Sequence, residues 1–132
     1  MAERLIYMDS SAIVKLAVAE PESRALRLYL SRRKELVTSA LARTEVARAL
    51  LPEGSRAVRR GEEALRRIQL LRINDRVLAA AGRMRPIDLR SLDAIHLASV
   101  EQLGPAVRCV VTYDERMADA AQAIGLPVAA PA

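Results

Sequence analysis

The sequence predicts an α/β domain in which a mainly parallel sheet of about five strands lies between two layers of helices, a three-layer α/β/α sandwich over residues 1–132. Three observations carry that prediction. Short aliphatic runs of strand length alternate with longer stretches of helical periodicity, the pattern a parallel sheet with crossover helices leaves in a sequence. Residues that start and stop helices, Ser and Asp before, Gly and Pro after, stand at the joints between them. The chain's 132 residues suffice for one core and are few for two, and no linker, repeat or low-complexity stretch divides them.

Taken in order, Leu5-Ile6-Tyr7-Met8 is a buried strand that ends at Asp9. Ser10 is expected to cap a helix filled by Ala12 to Val18 and stopped at Glu20-Pro21. Pro21 to Arg33 reads as a second helix, with Leu26, Leu28 and Leu30 among Arg24, Arg27 and Arg32, and Leu36-Val37-Thr38 as a second strand. Ser39 is the expected cap of a helix from Ala40 to Leu51 with Leu41, Val46, Ala49 and Leu50 inside, closed by Pro52 and Gly54. Arg56 to Leu71 reads as an amphipathic, Arg-rich helix that hands over to a strand at Leu70-Leu71-Arg72-Ile73. Asp75 is expected to cap a short helix through Ala79-Ala80-Ala81, and Arg83 to Arg90 is a basic loop. Ser91 then caps a helix in which Asp93 takes the second position. After Gly104-Pro105 come a strand at Arg108 to Thr112, a helix from Glu115 to Ala123 ended by Gly125, and a terminal strand at Leu126-Pro127-Val128.

Composition narrows the class. With 52% hydrophobic residues but no Phe and no Trp, the core must be aliphatic. No apolar run reaches the length of a membrane span. The lone Cys109 in an apolar strand suits a reducing compartment, and Met-Ala-Glu-Arg leads straight into a strand with no leader of the secretory kind, so a cytoplasmic protein is expected. Twenty-one basic against sixteen acidic residues give +5. Such a charge, carried almost wholly by Arg, is compatible with a polyanionic partner and also with a solvated Arg-rich surface.

The helix from Ser91 poses the chemical question. Leu92, Ala94, Ile95, Leu97, Ala98 and Val100 make it apolar nearly all round, which is the pattern of a buried helix. A carboxylate on such a helix needs a partner, and no Lys or Arg lies one turn away along the helix. The partner is then a cation from another segment or a metal ion. Asp9 and Asp114 stand just past strand ends, which right-handed crossovers place on one edge of the sheet. Glu45 lies mid-helix, where position alone favours a solvated side chain.

The segments LIYMDSSAIVKLAV, TSALARTEVARAL, SLDAIHLASV and VVTYDERMADAA resemble the PIN-domain ribonucleases, in particular the VapC-type toxins of bacterial toxin–antitoxin modules, and the likeness runs through nearly the whole chain. The resemblance implies a single PIN-like nuclease domain whose acidic quartet is Asp9, Glu45, Asp93 and Asp114. It further implies Mg2+ or Mn2+ held by those carboxylates, endonucleolytic hydrolysis of RNA such as a transfer RNA or another structured RNA, a cognate VapB-like antitoxin and a homodimer. Asp9 and Asp93 are the strongest ligand candidates, Asp114 binds directly or through water, and Glu45 binds the metal or orients or deprotonates the attacking water. Ser11 and Thr112 are expected to support these ligands. Some relatives carry a further acid about one turn beyond the Asp114 position, where this chain has Met117, with Glu115 and Asp119 nearby.

Arg83, Arg85 and Arg90 are the basic residues best placed for RNA phosphate; Arg59-Arg60 and Arg66-Arg67 read as solvated faces. Lys15 either meets RNA or neutralises the acids, or is a solvated helix lysine. His96, the only histidine, one turn after Asp93, reads as a packing or capping residue before a general acid or metal ligand. Three other readings compete: a structure-specific DNA nuclease, a non-catalytic RNA-binding or regulatory module of the same fold, and a phosphoacceptor receiver domain. The last needs an acceptor at the third strand end, where only Asp75 offers itself, and a lysine late in the chain, where none follows Lys34.

Overall fold

The computed structural model describes residues 4–33 and 35–132; the Met1-Ala2-Glu3 stretch read as carrying no leader, and Lys34, lie outside the described residues. Five strands form one sheet: β1 (Leu5–Met8), β2 (Leu36–Ser39), β3 (Gln69–Leu71), β4 (Val107–Val111) and β5 (Val128–Ala129). All four strand pairs are parallel, in the order β3-β2-β1-β4-β5. Among the described residues seven α-helices cover the sheet: α1 (Ser10–Ala17), α2 (Ser23–Ser31), α3 (Ala42–Leu50), α4 (Ser55–Arg66), α5 (Asp75–Gly82), α6 (Ser91–Leu103) and α7 (Glu115–Ala123). The three-layer sandwich expected from the sequence is the fold observed, and its strand order is not the β2-β1-β3-β4-β5 order of receiver domains.

The pleat divides the core between the two faces. Ile6 and Met8 of β1 join Cys109 and Val111 of β4 in one cluster with Ile13, Leu26, Val46 and Leu50. Tyr7 and Val110 point the other way, with Val37, Val100 and Val107. Val107 joins Val110 because Leu5 pairs with Val107 but Ile6 with Cys109, leaving Arg108 as an extra, exposed residue that bulges the strand. Leu97, Met117, Ala120 and Ala121 complete the second face where α6 meets α7.

Several boundaries move. The Arg-rich helix ends at Arg66 and not at Leu71, because Ile68 turns into the core and Gln69–Leu71 pairs with Val37–Ser39 of β2. The helix expected over Pro21 to Arg33 is the shorter α2, and β4 begins and ends one residue earlier than read. In α3 the buried stripe is Ala42, Val46 and Leu50, at four-residue spacing, and Ala49 is exposed. Caps shift by one as well. Asn74, not Asp75, caps α5, its side chain accepting from the Val77 amide at 2.9 Å. Asp9 and Arg90 hold the capping positions of α1 and α6, so Ser10 and Ser91 are first helical residues and Asp93 is the third. Gly125 does end α7, with φ 85, a conformation that favours glycine. No helix among the described residues is long and apolar enough to cross a membrane.

Candidate functional site

In an open parallel sheet the crevice beside the carboxyl ends of the strands opens where the winding reverses. Here the reversal falls between β1 and β4, the strands that deliver Asp9 and Thr112. Asp9 follows Met8 directly and is 6% exposed. Its Oδ2 accepts the Ser11 hydroxyl at 2.8 Å and the Thr112 hydroxyl at 2.8 Å. Each hydroxyl has one proton to give, so the 3.3 Å approach of Ser11 Oγ to Thr112 Oγ1 is packing of two donors on a shared acceptor. Both hydroxyl oxygens also accept main-chain amides beyond β4, Ser11 from Tyr113 and Thr112 from Asp114. Ser11 and Thr112, the residues expected to support the acids, both contact Asp9 directly.

Asp114 caps α7, its Oδ1 accepting from the amides of Arg116 at 2.9 Å and Met117 at 3.4 Å. Glu45, in the first turn of α3, is half-buried. Its Oε1 accepts the Ser10 hydroxyl at 2.5 Å and faces His96 Nε2 at 2.6 Å. Three of the four acids are therefore pinned through one carboxylate oxygen, and the second oxygen of each takes no hydrogen bond among the described residues.

Asp93 is the exception. Among the described residues the one ion pair it makes is with Arg90, from the loop just before its helix, with Nε 3.8 Å from Oδ2 and a side chain 60% exposed. A contact this long and this wet contributes little. Burial raises the Asp93 pKa above the ordinary carboxylate value, the charge of Asp114 adds to the rise, Arg90 works against it, and Asp9 adds again. Asp93 thus lies within reach of the charges of both Asp114 and Asp9. For Glu45, burial works to raise the pKa, but the hydrogen bond and charge of His96 and the Ser10 hydroxyl bring it below the usual value. Burial works to lower the His96 pKa, yet the hydrogen bond and charge of Glu45, with Asp9 and Asp93 behind it, raise it.

His96 is packed, as expected, edge-on against the Tyr7 ring, but packing is not all it does. It is 1% exposed, and besides Glu45 it meets the Tyr7 hydroxyl through Nδ1 at 2.8 Å. Ser10 and Arg116 are residues of this edge whose part in the site the sequence left out, and His96 is one whose partners it did not reveal. Their one signal is adjacency: His96 lies three residues after Asp93, Ser10 follows Asp9, and Arg116 follows Asp114 by two. Arg116 lines a cleft of about 550 Å³ with Pro86, Asp88, Leu89, Arg90 and Asp93, so Arg90 of the expected basic set borders the acids. Arg83 and Arg85 are exposed in the same loop but do not line that cleft. Lys15 bonds Glu20 at 2.9 Å and Glu22 at 2.8 Å, and its ammonium lies 4.8 Å from the centre of the Tyr113 ring.

Among the described residues no three His, Cys, Asp or Glu side chains are gathered closely enough to form a ready-made metal cage. The donors on offer are hard carboxylate oxygens, with Asp93 lacking a close cation and repelled by two neighbours of like charge. That set fits a hard, hydrated cation of the Mg2+ type, which keeps several waters and needs only one or two direct carboxylates.

A family profile described as PIN domain matches residues 6–123. Ribonuclease VapC46 of Mycobacterium tuberculosis is 56% identical over 126 residues, which cover 96% of this chain and 97% of that protein. The crystal structure of M. tuberculosis VapC20, a sarcin–ricin loop cleaving toxin, matches with a TM-score of 0.73 at 19% identity over 92% of this chain and 95% of that one. A toxin–antitoxin complex from Klebsiella pneumoniae matches with a TM-score of 0.72 at 18% identity over 96% and 98% of the respective chains. The two structural likenesses are likenesses of fold.

Proposed function

The chain belongs to the PIN-domain family, among its VapC-type ribonucleases, and from that premise we propose that it is an Mg2+- or Mn2+-dependent endoribonuclease acting as the toxin of a toxin–antitoxin pair. The observation that carries the reading is Asp9 at the reversal point of the sheet, its Oδ2 fixed by two buried or half-buried hydroxyls beside the mutually repelling Asp93 and Asp114. A carboxylate held this way is oriented before any ligand arrives.

Asp9, Asp93 and Asp114 would hold the cation, with Glu45 beside them. When bound, the cation supplies positive charge for the scissile phosphodiester and makes a nearby water easier to deprotonate. The protein's own groups supply the rest. Ser11 and Thr112 keep Asp9 from turning, the amides of Arg116 and Met117 do the same for Asp114, and Glu45 orients the attacking water or takes its proton. Arg90 and Arg116 border the cleft beside Asp93, where guanidinium groups grip RNA phosphates. Further partners proposed are a cognate antitoxin and a second copy of the chain, and the proposed place of action is the cytoplasm. The toxin–antitoxin character of the Klebsiella neighbour supports the antitoxin. The groove of about 470 Å³ between α1, α2 and α4, where Leu16, Leu30 and Leu36 lie among Arg27, Arg60 and Arg67, offers such partners an apolar floor with a basic rim.

The test is incubation of total cellular RNA with the purified, partner-free protein in Mg2+, in Mn2+ and in chelator, with Asp93→Asn alongside. Discrete fragments that require metal and vanish in the variant are expected. Cleavage that persists in chelator would refute the metal, cleavage of DNA alone would return the DNA-nuclease reading, and RNA binding without cleavage would mark a non-catalytic module.

A further inference from the structure

We propose that His96 and Ser10 are positioning residues that commit one oxygen of Glu45, so that the glutamate enters the reaction through Oε2 alone. The inference rests on the nuclease reading and adds to it the working atom of Glu45 and the groups that select it.

The direction of each hydrogen bond follows from its neighbours. The Ser39 amide donates to the Tyr7 hydroxyl oxygen at 3.2 Å. The nearby hydroxyls of Thr38 and Ser99 spend their protons on the carbonyls of Met8, at 2.6 Å, and Ile95, at 2.8 Å. The Glu45 carboxylate can only accept, so the ring hydrogen belongs on Nε2, and Nδ1 is then the acceptor of the Tyr7 proton 2.8 Å away. Nε2–H donates to Glu45 Oε1 at 2.6 Å. A second proton on the ring would sit at Nδ1 and leave the Nε2 bond as it is. The chain of donors therefore runs one way, from the main chain of β2 through β1 and α6 to α3.

Ser10, from α1, adds its hydroxyl to the same oxygen at 2.5 Å. Two donors occupy Oε1, and Oε2 receives none among the described residues. Glu45 is thus tied to elements on both faces of the sheet, with one oxygen spent and one presented. A glutamate held so contacts a water or a cation through a single atom and is prevented from chelating through both.

Because His96 is the only histidine in the chain, a nitrogen–proton correlation spectrum of the imidazole reads this one ring. The expected spectrum shows the hydrogen on Nε2, slow to exchange with water, and a changed Nε2 signal in Glu45→Gln. A bare Nε2 with the hydrogen on Nδ1 would overturn the proposal. In cleavage kinetics, His96→Leu is expected to lower kcat by about 10- to 100-fold, with KM for RNA within about twofold of wild type. His96→Gln, whose amide nitrogen can take the place of Nε2, is expected to recover most of that loss. Ser10→Ala, at a half-exposed position that does not endanger folding, is expected to lower kcat by a smaller factor, again without a change in KM. Unchanged kcat in both Ser10→Ala and His96→Leu, or Glu45→Gln leaving the imidazole spectrum as in wild type, would overturn the proposal. If the wild-type protein cleaves no RNA, the nuclease reading fails on its own, while the spectrum still decides whether His96 holds Glu45.

Discussion

Replacing Thr112 by Val keeps the shape of the side chain and removes one oxygen with two duties. That hydroxyl gives a 2.8 Å hydrogen bond to the Asp9 carboxylate and accepts the Asp114 amide at 3.1 Å, at a position 1% exposed. A hydrogen bond to a charged group contributes about 1.5–3 kcal/mol, and leaving a buried donor unpaired costs about 1–3 kcal/mol. Asp114 is only half-buried, so water recovers part of the second cost, and the expected loss is about 3 kcal/mol. With about 2.1 cal/mol/K of unfolding entropy per residue, a chain of 132 residues melts about 10 °C lower for that loss. Asp9 keeps Ser11 as its sole fixing donor, and loss of one such support is expected to lower the cleavage rate about 10- to 100-fold. Thr112→Ser, which retains the hydroxyl, is expected to recover both. Thermal melting by circular dichroism and single-turnover cleavage of a mapped RNA read the two effects. A Val variant that melts within ~2 °C of wild type and cleaves at the wild-type rate would refute the reasoning.

Three further perturbations separate metal, RNA and packing. Mn2+ at a hundred times its Kd is expected to add about 2.7 kcal/mol to the unfolding free energy of the wild-type protein, and Asp93→Asn is expected to lose that gain. In chelator the same variant is expected to melt above wild type, because the repulsion from Asp114 and Asp9 is gone; melting below wild type would show that the Asp93 charge is satisfied by the protein itself. Arg90→Ala and Arg116→Ala are each expected to weaken RNA binding and to reduce the slope of log K against log salt by about one, and an unchanged slope would make that arginine a solvent-facing residue. Gly61→Ala puts a methyl 2.5 Å from Leu50 Cδ1 and 3.1 Å from Val46 Cγ1, both in the buried seam of α3 against α4. Overpacking of about 1–3 kcal/mol exceeds the ~1 kcal/mol of helix propensity gained, so the melting temperature is expected to fall, and a rise would show that Leu50 has room to turn away.

The fold was legible because its signals are local. Leu5-Ile6-Tyr7-Met8 is a strand with the same bounds in sequence and structure, and Glu115 to Ala123 is a helix with the same bounds. Where bounds failed, a distant partner decided them. Nothing within Arg66 to Leu71 says that the chain leaves the helix there; the cause is β2, whose Val37–Ser39 edge takes Gln69–Leu71 as its neighbour. The caps failed for a related reason. Asp9 and Arg90 hold capping positions without a side-chain capping bond, since Asp9 is engaged by Ser11 and Thr112 and the Arg90 guanidinium has no atom that can accept a helix amide.

The acids themselves were legible as residues but not as chemistry. Resemblance to a family marks Asp9, Glu45, Asp93 and Asp114, yet what each can do depends on which of its oxygens is already taken. Those donors come from far along the chain: Ser10 and Glu45 are 35 positions apart, Glu45 and His96 are 51, and Asp9 and Thr112 are 103. No spacing rule connects such pairs. They meet because β1 and β4 are neighbours across the reversal point and because α1, α3 and α6 all begin at that edge. His96 shows the consequence most sharply. On an apolar helix, with only Asp93 one turn before it as a titratable neighbour, packing was the sound reading, and the arrival of Glu45 from α3 and Tyr7 from β1 turns it into a donor with a fixed direction. Asp93 is the opposite case, a carboxylate for which the fold supplies two like charges and one loose, exposed arginine. Three acids held by one oxygen each, beside a fourth that the protein leaves poorly compensated, make an edge whose charge an added cation would balance, which is the ground of the proposed metal dependence.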